Sequence, residues 1–73
     1  MLLEDFGRVI ARRRKEKGWT LKKLSETSTA SIGFLSEIEA NKKLPSLPMV
    51  AALASAFSTT AADLINEAEQ AGG

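Results

Sequence analysis

Two lysine pairs, Lys22-Lys23 and Lys42-Lys43, lie near hydroxyl residues, Thr20 and Ser31, that stand directly ahead of helical patterns. Lysine ammonium groups beside helix starts are suited to holding phosphate oxygens, because the first backbone N–H groups of a helix have no partner within it. The same sequence lacks two of the residue types most used to make and break bonds. It has no cysteine and no histidine, so thiolate and imidazole nucleophiles, Ser-His-Asp triads and the usual zinc sites are excluded. The expectation is a binding protein, with no enzymatic activity, no metal and no cofactor.

Charge is distributed unevenly. The net charge is only +1, but all 10 basic residues lie between Arg8 and Lys43. The segment after Lys43 holds the acids Asp63, Glu67 and Glu69 and no base, so in the sequence they have no basic partner. A basic front and an acidic end suit a domain that meets a polyanion with one face. The plainer reading of the same charges is a solvated surface.

The elements that must position these residues are helices. The apolar set is mostly Leu, Ile, Val, Ala and Phe, with one Trp and no Tyr, which argues for an all-α fold. At 73 residues the chain is read as one domain, with a core at about 6–65 and a fraying tail at 66–73. No apolar run approaches the ~20 residues of a membrane span. Leu2-Leu3 runs straight into Glu4-Asp5, which is unlike a signal peptide. A cytoplasmic protein with no membrane association and no small-molecule ligand is expected.

The spacing predicts a first helix from about Leu3 to Lys17, with Leu3, Phe6, Val9, Ile10 and Arg13 along one face and Gly18 closing it. Trp19 reads as a lid on the small core. Thr20 caps a second helix carrying Leu21 and Leu24, and Ser28-Thr29-Ala30 breaks it. Ser31 caps a third, in which Ile32, Leu35 and Ile38 recur at i, i+3, i+6. Asn41 can take the left-handed conformation that ends it. Ser46 caps a fourth helix with Pro48 in its first turn and Met49, Val50, Leu53, Ala54 and Phe57 buried. Thr60 and Asp63 read as a capping box ahead of a fifth helix with Leu64, Ile65 and Ala68. Two short helices with so tight a joint fit a helix-turn-helix unit.

The ordered set of residues resembles the Cro/C1-type helix-turn-helix family. It comprises Phe6, Ile10, Arg14, Gly18-Trp19-Thr20, Leu24, Ser31, the run Phe34-Leu35-Ser36-Glu37-Ile38-Glu39, the loop Asn41–Ser46, and Leu53, Ala54, Phe57 and Leu64. The run from Gly33 to Glu39 also resembles the protease-gene regulators of actinobacteria within that family. The resemblance implies a five-helix bundle of the lambda-repressor-like type that binds double-stranded DNA as a homodimer. It further implies a transcriptional repressor acting on an inverted-repeat operator, with the third helix in the major groove. The sequence departs from the family pattern at Leu21, where Gln is usual, at Ser25, where Ala is usual, and at Thr29, Asn41 and Ser58, where Gly is usual.

On this reading Ser31, Ile32, Gly33, Ser36 and Glu37 face the bases. Ile32 suits a thymine methyl and Glu37 a cytosine amino group, and the third helix has no Arg or Lys for guanine. Thr20, Lys22, Lys23, Asn41, Lys42, Lys43 and Arg12 are the expected phosphate contacts. By the resemblance, Arg14 and Glu39 form a structural ion pair. Ala61, Ile65 and Ala68 are the candidate dimer interface. A rival function is a protein-interaction module on the same fold, antitoxin-like, favoured by Leu21 and the arginine-free third helix.

Overall fold

The computed structural model describes residues 3–71; Met1-Leu2, Gly72-Gly73 and the side chains of Leu3, Glu4 and Ala71 lie outside the described residues. Five helices follow one another: α1 (Leu3–Glu16), α2 (Leu21–Ser28), α3 (Ile32–Glu39), α4 (Leu47–Ala56) and α5 (Ala61–Ala71). Among the described residues there is no strand.

Local chemistry sets the boundaries. The hydroxyl oxygens of Thr20 and Ser31 accept from the backbone N–H of Lys23 and Phe34, both at 3.1 Å. Ser46 accepts from Met49 N at 3.4 Å and Thr60 from Asp63 N at 3.1 Å. Each satisfies one orphan donor of a first turn. The expected Thr60–Asp63 capping box is only half formed, because the Asp63 carboxylate accepts instead from Thr59 Oγ1 at 3.1 Å.

Four helices end on a left-handed residue: Gly18 (φ 71), Thr29 (φ 65), Asn41 (φ 66) and Ser58 (φ 57). At Gly18, Asn41 and Ser58 the chain makes the paired Schellman hydrogen bonds, such as Lys42 N to Glu37 O at 2.8 Å and Asn41 N to Ile38 O at 3.1 Å. Thr29 closes α2 with one bond, its N–H to Ser25 O at 2.9 Å. A β-branched residue in this region is strained. The backbone thus takes a left-handed helix end at all four positions, although only the first, Gly18, is a glycine.

Every helix contributes to one core. Phe6, Ile10, Leu24, Leu35, Ile38, Leu53 and Leu64 are all fully buried, and each such side chain contributes roughly 1.5–3 kcal/mol relative to exposure. α1 packs on α3 and α5, α4 on α2 and α5, and α2 on α3. Trp19 is half-buried and stacks on Phe57 with ring centroids 5.8 Å apart, covering the core where α1 ends.

Two expectations need correcting. α5 does not fray after Ile65: it continues to Ala71 with Ala68 fully buried, because its second half packs on α1. Ile32 does not continue the buried stripe of α3; it is 47% exposed, while Leu35 and Ile38 carry the packing. α4 and α5 meet at 96°, and among the described residues no single helix is long and apolar enough to cross a membrane.

Candidate nucleic-acid interface

The position of α3 is set from three sides. On the α2 side, two serine hydroxyls brace the turn. Ser28 Oγ donates to Leu24 O at 2.7 Å and accepts from Ala30 N at 3.3 Å, and Ser25 Oγ donates to Ala30 O. On the α1 side, Arg14 grips Glu39 through Nε at 2.8 Å and Nη2 at 3.1 Å, and its Nη1 donates to Trp19 O at 2.7 Å. Only 14% and 12% of these two side chains is accessible, so solvent screens the pair weakly. The hydrogen bond to Glu39 raises the Arg14 pKa above its ordinary value, against the opposing effect of burial.

The third support is Gly7. A Cβ there would overlap the Ile38 carbonyl oxygen and stand 2.6 Å from Asn41 Oδ1. α1 and the C-terminal end of α3 thus approach backbone to backbone. Sequence reasoning missed Gly7, and it missed Ser25 and Ser28 as braces. A glycine inside a helical pattern signals a close approach, but it does not name the partner.

So held, α3 turns Leu35 and Ile38 inward and leaves Ser31, Ile32, Gly33 and Ser36 exposed, with Glu37 half-buried at their edge. A Cβ at Gly33 would meet nothing within 4 Å. Ser31 Oγ takes the Phe34 N–H, and the N–H groups of Ile32 and Gly33, in the first helical turn, have no intrahelical partner. Thr20, Lys22 and Lys23 are exposed at the start of α2, and Asn41, Lys42 and Lys43 are exposed where α3 ends. Lys43 folds back on α3, with Nζ 3.9 Å from Glu37 Oε1 and 5.8 Å from the Phe34 ring centroid.

Other expected residues lie elsewhere. Arg12, expected at phosphate, is bonded to Glu67 of α5. Arg13 joins it, with Nη2 2.7 Å and Nε 3.0 Å from Glu67 Oε2. Glu67 is therefore not an unpartnered acid of the C-terminal segment: α5 returns it to the arginines of α1. Ala68, expected at a dimer interface, is fully buried within this chain and cannot reach a second one. Ala61 and Ile65 are half-buried and pack against the core. Leu21, which replaces the usual Gln, is also half-buried against the core. Leu44 and Leu47 are 54% and 72% exposed in the α3–α4 connection and at the start of α4. Among the described residues no group of three or more His, Cys, Asp or Glu side chains could hold a metal.

Comparison with known proteins agrees with this arrangement. The helix-turn-helix family profile matches residues 10–64. Over 57 residues the chain is 35% identical to the transcriptional regulator ClgR of Mycobacterium tuberculosis, strains CDC 1551 / Oshkosh and H37Rv alike. That stretch is 78% of this chain and 51% of the relative, so the chain spans about half the length of the curated relatives it matches. Two crystal structures of the clp gene regulator ClgR from Corynebacterium glutamicum superpose closely. One has a TM-score of 0.86 at 36% identity over 96% of this chain and 74% of that one. The other has a TM-score of 0.87 at 34% identity over 100% and 95%. With its five helices, its braced α2–α3 turn and its exposed α3, the chain belongs to the Cro/C1-type helix-turn-helix family.

Proposed function

We propose that this chain is the DNA-binding unit of a transcription regulator, which places the exposed side of α3 in the major groove. The observation that carries the reading is the first half of α3. There a polar cap, an exposed isoleucine and a bare glycine stand outward between two lysine pairs, and no packing within the chain claims them. Ser31, Ile32, Gly33 and Ser36 meet base edges, with Ile32 on a thymine methyl. Thr20, Lys22, Lys23, Asn41 and Lys42 meet phosphates, joined by the backbone N–H groups that begin α2 and α3. Arg12 is not in this set, because Glu67 holds it.

The regulator is a repressor that acts in the cytoplasm as a homodimer on an inverted repeat, with Ala61 and Ile65 of α5 at the two-fold contact. Likeness to the clp gene regulator supports control of clp genes. A second reading, a module that binds protein, draws on the exposed Leu44 and Leu47.

Selection from a pool of random duplexes decides between them. The proposal expects a recovered inverted repeat with half-sites about one helical turn apart. It also expects affinity to fall steeply with salt, by about 0.9 log unit per log unit of salt for each phosphate contact. Lys22→Ala with Lys42→Ala then weakens binding to every duplex and lowers that slope by about two. Recovery of no site, or a slope unchanged in the double variant, sinks the reading.

A further inference from the structure

The outward side of α3 has an acid and no base. On a helix that is to enter the groove between two rows of phosphates, a lone carboxylate is repelled. Lys43 answers this from outside the helix. The Schellman turn at Asn41 reverses the chain, and the Lys43 ammonium comes to rest over Phe34 and beside Glu37.

We propose that Glu37 and Lys43 act as one composite reader of a single cytosine·guanine base pair in the major groove, a role that rests on the DNA-binding reading above. The Glu37 carboxylate accepts from the cytosine N4 amino group. The Lys43 ammonium donates to guanine O6 and N7. These groups lie side by side on one edge of that base pair. An acceptor and a donor already 3.9 Å apart match that order. An adenine·thymine pair offers the lysine no two adjacent acceptors, since its amino group stands between N7 and O4. Lys43 is thereby moved from the phosphate contacts to the base contacts, and it supplies the guanine donor that α3 lacks. The pair is free to change partners at little cost: the two side chains are 53% and 44% accessible, and they share one long contact.

The test uses the full chain and the half-site recovered by duplex selection. Glu37→Ala, Lys43→Gln and the double variant are each subjected to selection and titrated on the preferred duplex. The proposal expects both single variants to lose preference at the same base-pair position, which the parent chain selects as cytosine·guanine. Each loses roughly tenfold on the preferred duplex, and the double variant loses little more than the worse single, because the two act as a unit. The proposal is overturned if Lys43→Gln weakens all duplexes equally with its selected site intact, which makes Lys43 a phosphate contact and leaves the DNA-binding reading standing. It is equally overturned if the two single variants relax different positions. If the parent chain selects no site, the DNA-binding reading fails and this proposal fails with it.

Discussion

The two ion pairs of α3 differ in almost every respect. Arg14–Glu39 is nearly enclosed, bidentate and short, with a further bond to the Trp19 carbonyl. Glu37–Lys43 is about half open to solvent, has one contact of 3.9 Å and closes over an aromatic ring. The acids Glu37 and Glu39, two residues apart, point to different sides of one short helix. The first kind of pair cannot be released without stranding a charge, so it serves to hold α3 against α1. The second gains little in the free protein and loses little when redirected, so it is fit to meet a partner. A helix of eight residues thus carries an anchoring pair and a releasable pair on sides about 200° apart.

Three substitutions probe this contrast. The largest effect is expected from Arg14→Ala, which leaves Glu39 mostly buried and unpaired. Stability should fall by about 3 kcal/mol, at the low end for a buried pair because some solvent access remains. Urea denaturation measures this, and a loss under 1 kcal/mol would put Arg14–Glu39 in the same class as the exposed pair. Next in size is Thr29→Gly, which relieves a left-handed β-branched residue at the joint that sets the angle of α3. A gain of about 1 kcal/mol is expected, partly offset by the greater freedom of glycine in the unfolded chain. A thermal melt that shifts downward would mean that the threonine is favoured by contacts outweighing its backbone strain. The smallest effect belongs to Lys43→Gln, with stability within about 0.5 kcal/mol of the parent. A larger loss by calorimetry would make the exposed pair a structural one.

The legible parts of the molecule were those whose causes are local. Thr20, Ser31, Ser46 and Thr60 cap helices by reaching three residues along the chain, and Gly18 and Asn41 end them by their own conformational preferences. A 3.6-residue period placed Phe6, Ile10, Leu24, Leu35 and Leu53 inside. It could not settle Ile32, which fits the buried stripe by spacing and stands at the helix start where the stripe has left the core. Ala68 fits an interface or a core equally well until the fold is seen to bury it completely. Contacts between distant residues were the least legible. The acids after Lys43 register in the sequence only as a surplus of charge. That Glu67 closes on Arg12 and Arg13 depends on a fold that joins residues 54 and 55 positions apart. The outward Ser31 and Ser36 were readable as exposed and polar, whereas the approach of Lys43 to Glu37 follows from a turn whose geometry the sequence only permits.

Gly7 bears on which variants of this chain can persist. Since α1 meets the end of α3 there without room for a β-carbon, even alanine must push α3 outward. The loop that carries Lys42 and Lys43 would move with it. In a library of single substitutions, position 7 should therefore be emptied of every alternative by a screen for the proposed DNA binding, while the exposed Lys15 further along α1 varies freely. On the proposed DNA-binding reading, the depth to which α3 can sit in a groove is in this sense inherited through a buried residue of α1.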